Sequence, residues 1–518
     1  MNNSSSFKSF SRFFKYAKKW RIKIYLATFY SIINKLFDLA PEILLGIAVD
    51  VVVNVNNPGN NFLDFIGFHG AQNQVIVLAA STFGIWAFES IFQYLYMINW
   101  RNIAQSIEHD VRLDLYNNVQ HLDVGWFEEQ KLGNISSIIN DDVNQLERFL
   151  NNGINQIIQI FVSTILIGLV FLYISPMIAS IMLLPIPVIL VISMFFQKNL
   201  SPKYLKVREA VGSLNTSIFN NLLGIVTIKS FASESRENKR LEELSRNYLN
   251  KNKEAIRLSS AFVPVVRMGV LSGFLVTMVL GSMMAMEGAI SPGSFAMLLF
   301  LTQRFLWPFT SLGEIVDLFE RSMASTKRIL DTLDFRPNIE DGSNKDFSSF
   351  DESIEFKSLQ FYYNKNNTVF DDIGFTIQSK KITAIVGPTG IGKTSLVKLL
   401  LRFYDPQNGE ILIGDENIKN IEILKLRQNI GLVGQDTFLF DGTIEENIIY
   451  PEEDADFEKM KKVSELSQAY EFIQDFEKGF DTLIGERGVK LSGGQKQRLA
   501  ISRALYKDPS ILVFDEAT

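Results

Sequence analysis

The stretch Gly387-Pro388-Thr389-Gly390-Ile391-Gly392-Lys393-Thr394 decides how the rest of the chain is read. An apolar β-type run, Ile382 to Val386, precedes it, and Ser395 to Leu400 reads as the first turns of a helix. Strand, glycine loop and helix therefore come in the order that a phosphate cradle requires. Gly387, Gly390 and Gly392 let successive backbone N–H groups turn inward around an anion, and the helix dipole adds to the attraction. Lys393 is placed to reach β- and γ-phosphates, and the Thr394 hydroxyl to ligate Mg²⁺. Thr389 and Ser395 belong to the same expected binding set. The plain alternative is a glycine-rich turn that matches by accident, and the remainder of the chain weighs against it.

Outward from this loop, Leu491-Ser492-Gly493-Gly494-Gln495 opens a strongly helical segment, Lys496 to Leu505. Ser492, the two glycines and Gln495 thus stand at a helix N-terminus as a second anion site. Ile511-Leu512-Val513-Phe514 is the continuous apolar run of a buried parallel strand and ends in Asp515-Glu516. Acidic residues at the carboxyl end of such a strand face the ligand crevice. Asp515 is expected to hold Mg²⁺ through water, and Glu516 to orient or deprotonate the attacking water. Gln435, closing the strand-like Ile430 to Gly434, is a third contact to metal and water. Tyr363, on an earlier strand, offers adenine a ring to stack on.

The first half has a different character. Apolar residues make up 47% of the 518, with 42 phenylalanines, more than a soluble enzyme needs. There are no cysteines, which excludes a disulfide framework, a thiolate metal site and a thiol nucleophile. Six spans of about 20 apolar residues stand at 22–50, 74–98, 154–174, 177–197, 261–285 and 291–312. Lys35, Asp38, Glu42, Glu89, Arg267 and Arg304 fall inside them and, being costly in lipid, are expected to face a protein interior or a watery cavity. Pro185, Pro187, Pro264 and Pro308 are expected to kink the spans that hold them. Lys8, Arg12, Lys15, Lys18, Lys19 and Arg21 precede the first span, whereas 54–73 carries no Lys or Arg, so the positive-inside rule puts the N-terminus in the cytoplasm. That N-terminus reads as an amphipathic entry segment at a membrane surface. The long connections between spans two and three and between four and five are charged and helical in pattern, Lys131 among their residues. Residues 1–325 are therefore read as a membrane domain, 326–352 as a linker and 353–518 as an α/β nucleotide-binding domain.

These motifs resemble those of a half-transporter of the ATP-binding cassette (ABC) exporter family, of the lipid-flippase or multidrug-exporter kind. The likeness covers nearly the whole chain. In the family's terms Gly387–Thr394 corresponds to Walker A, Ile511–Glu516 to Walker B and Leu491–Gln495 to the signature. Gln435 corresponds to the Q-loop residue and Tyr363 to the A-loop aromatic. Asp123 to Glu128 with Asn140-Asp141-Asp142-Val143, and Gly224 to Phe231 with Glu234, resemble the family's two intracellular loops. The resemblance implies short coupling helices near 121–128 and 217–226. One departure is Leu483, where relatives often carry an acidic residue after the threonine matching Thr482, although Gly485-Glu486-Arg487-Gly488 is retained.

The resemblance further implies a partner. Phosphate loop and signature meet across a dimer, homomeric or heteromeric, in which two ATP molecules lie between Lys393 of one subunit and Ser492, Gly493 and Gly494 of the other. Export by alternating access is the expected activity, with ATP and Mg²⁺ as cofactors and an amphipathic, lipid or peptide substrate. The expected location is a prokaryotic plasma (inner) membrane, and no nucleic-acid partner is expected. A non-hydrolysing subunit of a heterodimer and an importer or channel on the same frame are the alternatives. The family pattern continues past Walker B with a switch histidine, and His69, His109 and His121 all lie in the membrane half. A chain whose last residue is Thr518 is thus expected to belong to a longer one and to hydrolyse ATP poorly by itself.

Overall fold

The computed structural model describes residues 3–55, 63, 66–130, 132–364, 367–450, 452 and 454–515. Lys131, Glu516 and part of the loop 54–73 lie outside them. The chain divides into two compact units, one of residues 1–119 and 135–334, the other of 120–134 and 335–518.

The first unit consists of helices joined by short turns and has no strand among its described residues, as suits an apolar chain whose backbone water does not reach. Its main helices are α1 (Asn3–Tyr16), α2 (Arg21–Val53), α3 (Ala71–Gln120), α4 (Ile154–Ile174) and α5 (Pro176–Met182). Next come α6 (Pro185–Leu223), α7 (Glu234–Met286), α8 (Pro292–Leu306) and α9 (Leu312–Asp334). Most of each expected span falls on helix. Among the described residues four stretches are long and apolar enough to cross a membrane, Ala71–Gln120, Gly133–Ile174, Pro176–Leu223 and Glu234–Met286. Not among them are α2, which carries Lys35, Asp38, Glu42 and Asp50, and α8, which has 15 residues. Large apolar side chains such as Phe83, Trp86, Leu169 and Tyr173 stand exposed, the surface of a molecule with apolar surroundings.

Several boundaries differ from expectation. The fourth span is interrupted at Leu183 and Leu184, and Pro185 takes the first position of α6, where its missing N–H leaves no bond unmade. Pro264 lies inside a continuous α7, whereas around Pro308 α8 gives way to a 3₁₀ turn, Trp307–Ser311. Residues 326–334, assigned to the linker, continue α9, so irregular backbone begins at Phe335. The second loop's short helix is Ile225–Ser230, further along the chain than 217–226, because α6 runs on to Leu223.

Packing follows from small residues and satisfied hydroxyls. Ile167, Phe171, Ile189, Val266, Leu298 and Phe305 form one buried cluster. Thr277 and Thr302 inside it donate to their own helices' carbonyls, Gly273 O at 3.1 Å and Leu298 O at 2.7 Å. Gly293 lets α8 approach α2: an added Cβ would fall 2.0 Å from the Gly46 carbonyl oxygen. Asp50 accepts from the Gly293 N–H at 2.6 Å and the Ser291 hydroxyl at 2.7 Å, tying the end of α2 to the start of α8. A second cluster joins Phe13 of α1 to Trp100, Ile107, Val143 and Ile329. Beside it the buried Asp142 accepts from Ser325 at 2.8 Å and from Arg328 Nε at 2.7 Å.

The second unit combines sheet and helix. A four-stranded antiparallel sheet has the order β2-β1-β3-β4, where β1 is Ile354–Asn364, β2 Asn367–Ile377, β3 Asn408–Ile413 and β4 Glu416–Asn417. A parallel pair joins β5 (Ile430–Val433) to β6 (Ile511–Phe514). Phe356, Phe361, Ile411 and Ile413 bury one face of the antiparallel sheet against Leu396, Leu399 and Leu400 of α10 (Lys393–Leu400). A separate core of Leu439, Ile444, Met460, Phe472 and Ile484 packs around Leu499 and Tyr506 of α11 (Gly493–Tyr506). The run Ile382 to Val386, expected as a strand, joins neither sheet among the described residues. A strand is fixed by ladder partners, not by composition, and without them Ile382 and Val386 remain exposed.

Candidate functional site

The phosphate loop is built as its glycines require. Gly390 and Gly392 take φ of +85° and +108°, and Gly392 stands immediately before the first residue of α10. At Gly392 a Cβ would meet the Phe370 ring at 2.6 Å, so the turn also needs close approach to β2. Lys393 Nζ donates to the carbonyls of Gly387 at 2.9 Å and Pro388 at 3.2 Å, which holds the ammonium against the loop. Thr389 and Thr394 are exposed and Ser395 is buried. A cation on the loop, an accessible hydroxyl one residue on and a helix N-terminus behind it are the donor set that a polyphosphate with a divalent ion requires, so these residues fit Mg-nucleotide.

Around α10 the structure joins residues that the sequence kept apart. The hydroxyls of Tyr363 and Ser395 share a hydrogen bond of 3.0 Å. The Tyr363 ring packs edge-on against Phe361 and Tyr404, with Lys398 Nζ 5.4 Å from its centroid, so the aromatic expected to stack on adenine is anchored to the loop's own helix. Lys398 donates to Glu128 Oε1 at 2.7 Å and Tyr404 donates to Glu128 Oε2 at 2.6 Å. Glu128 lies on the short helix Val124–Glu129, and Gly125 of that helix sits so close to Tyr404 that a Cβ would fall 2.8 Å from its ring. Partial burial opposes charge on both partners, yet the hydrogen bonds outweigh it: Glu128 titrates below the ordinary glutamate value and Lys398 above the ordinary lysine value. Burial, followed by the Glu128 carboxylate, pushes the Tyr404 hydroxyl far above its ordinary range. Sequence reasoning missed Lys398 and Tyr404, since nothing local marks a partner 270 positions away.

The other expected residues form two further groups. Val433 and Phe514 are register partners at the ends of β5 and β6, and the Asp515 N–H donates to Val433 O at 2.9 Å. Gln435 and Asp515 therefore stand at the carboxyl ends of adjacent parallel strands, where a ligand crevice forms. No ladder joins this pair to the segment 382–388 among the described residues. Glu516 lies outside the described residues. Ser492 caps α11 through a reciprocal box: its N–H donates to Gln495 Oε1 at 2.8 Å and its hydroxyl accepts from the Gln495 N–H at 3.3 Å. Gln495, expected as a nucleotide contact, thus spends its side chain on the cap. Gly493 and Gly494 are exposed, with nothing within 4 Å of an added Cβ. Leu483 is exposed beside Thr482 and pairs through an isolated bridge with Thr443.

The chain matches the family profile described as the ABC transporter transmembrane region over residues 24–309, and that described as ABC transporter over residues 370–518. It belongs to the ABC transporter family. As an ABC transporter it is a membrane-spanning protein carrying an ATP-binding domain, and its fold is that of an exporter half-transporter, as the motifs led one to expect. It is similar to the "Uncharacterized ABC transporter ATP-binding protein YwjA" of Bacillus subtilis (strain 168), 30% identical over 98% of this chain and 86% of that one. An "ATP-dependent lipid A-core flippase" of Syntrophus aciditrophicus (strain SB) is 28% identical over 80% of this chain and 69% of its own length. The solved structure of a bacterial Atm1-family ABC exporter with ATP bound shares the fold, with a TM-score of 0.79 at 23% identity over 96% of this chain and 86% of that one.

Proposed function

We propose that this ABC transporter exports an amphipathic or lipid-like substrate by ATP-driven alternating access, as one half of a dimer. The observation that carries the reading is the seat of Glu128: a loop between two membrane helices hydrogen-bonds the helix that begins at the phosphate loop. Movement at that loop and movement of the membrane helices are then one event. Lys393 and the backbone of Gly387, Gly390 and Gly392 hold the β- and γ-phosphates, with Thr389 and Ser395 in the same set, and Tyr363 faces the base. Thr394, Gln435 and Asp515 hold Mg²⁺, which when bound offsets charge on the phosphate oxygens. Glu516 orients or deprotonates the attacking water. The open Gly493 and Gly494 backbone and the Ser492 hydroxyl serve the γ-phosphate of a second subunit's nucleotide, so that closure depends on ATP and opening on hydrolysis. The dimer lies in a prokaryotic inner membrane with N-terminus and ATP-binding domain in the cytoplasm.

The test is reconstitution of the full chain in phosphatidylcholine vesicles containing a fluorescent phospholipid, with ATP supplied outside. Expected is ATP-dependent loss of label from the leaflet facing the ATP-binding domain, abolished by Lys393→Ala. Movement toward that leaflet overturns export in favour of import, and ATP binding without phosphate release favours a non-hydrolysing subunit.

A further inference from the structure

The membrane unit holds an open cavity of about 650 Å³ whose lining includes Lys35, Glu42, Arg267 and Arg304 together with Phe274 and Phe300. That volume suits a small organic ligand, and a wall that carries both charged and aromatic side chains suits an amphiphile. The sign of its head group is set by how the charges are already paired. Lys35 Nζ lies 2.6 Å from Asp38 Oδ2. Arg304 contacts Asp38 Oδ1 at 2.7 Å and Glu42 Oε1 at 2.8 Å. Two cations are thus held by two carboxylates, and Glu89, the third acid of the region, lies in the field of these same four residues. Arg267 differs. It lines the cavity from α7, is exposed, and has no hydrogen-bond or ion-pair partner among the described residues. An arginine cannot shed its charge, and a guanidinium in a membrane segment without a counter-charge is costly. We infer that the cavity takes a single-chain amphiphile with an anionic head group, the head on Arg267 and the tail along Phe274 and Phe300. Only the transport step after binding rests on the export reading.

Binding is measured at equilibrium without nucleotide, on the full chain in neutral phosphatidylcholine nanodiscs. The probes are dodecyl phosphate, dodecyltrimethylammonium and dodecyl maltoside. A charge-assisted bidentate contact predicts that dodecyl phosphate binds about tenfold more tightly than either other probe. Arg267→Gln is expected to erase that preference while leaving dodecyl maltoside affinity in place, and Arg267→Lys to keep most of it. Equal affinities, a preference for the ammonium, or a phosphate preference that survives Arg267→Gln would each overturn the assignment. The two readings fail separately. Head-group selectivity without ATP-driven movement sustains this inference and overturns export, and ATP-driven movement without selectivity does the reverse.

Discussion

Lys393, Glu516 and Glu128 are each proposed to act through a single group, and each can be removed by itself. Lys393 is held against its loop by two carbonyls, so Lys393→Ala withdraws one charge together with those two hydrogen bonds. Phosphate release is expected to fall about a hundredfold or more, the usual loss when a preorganised charge is withdrawn from a transition state. Glu516→Gln keeps shape and removes a base, and a similar fall, on the order of a hundredfold, is expected in phosphate release while ATP binding persists. Brisk turnover by that variant removes Glu516 from its proposed role. The Glu128 contact makes a pH prediction. Its carboxyl titrates below the ordinary value of 4.5, so this contribution to stability is complete above 4.5 and is lost as pH falls through the lower folded value. Lys398 titrates above 10.5, so its contribution is complete below 10.5 and is lost as pH rises through the higher folded value. Between those limits the contact is level. Since both side chains are partly exposed, the loss at either limit is expected to be no more than about 1 kcal/mol. Hydrogen exchange on residues 120–134 across pH reads it, and Glu128→Gln should flatten the acid limb.

At the scale of elements, two helix crossings and one loop–helix seat fix the arrangement inside each unit. The crossing of α2 and α8 depends on Gly293, whose missing side chain admits the Gly46 carbonyl and leaves its N–H to Asp50. Gly293→Ala would run into the Gly46 carbonyl oxygen at 2.0 Å, backbone that cannot turn aside, and into the Asp50 carboxyl group at 2.4 Å, and is expected to destabilise the membrane unit by about 1–3 kcal/mol. A thermal unfolding midpoint unchanged within error would show that the helices separate freely there. Gly273 meets the flexible end of Leu306, and Gly273→Ala should be milder. The seat of Val124–Glu129 rests on Gly125 against Tyr404, so Gly125→Val is expected to weaken ATP-dependent movement while ATP binding by the second unit stays intact.

For the whole molecule the decisive prediction concerns two copies. The chain has no cysteine, so an introduced pair reports without background. With Thr389→Cys on one subunit and Gly493→Cys on another, in a Glu516→Gln background, ATP is expected to bring about a covalent dimer that does not form without nucleotide. Linkage that ignores nucleotide, or never forms, is incompatible with a site shared between phosphate loop and signature.

Much of this protein was legible along the chain. The helical character of the first half was legible because an apolar backbone away from water has few alternatives, and the glycine loop announced its turn because Gly390 and Gly392 sit at φ values that other residues resist. The reciprocal cap of Ser492 and Gln495 is likewise local, a matter of three positions. Only the tertiary structure decided which strands found ladders: Ile382–Val386 has the composition of a buried strand and no partner among the described residues, because pairing is set by neighbours distant in sequence. The same holds for Glu128 with Lys398 and for the pairing that leaves Arg267 without a partner among the described residues. Periodicity and glycine are properties of a segment, whereas a salt bridge between residues hundreds of positions apart exists only once the chain has folded.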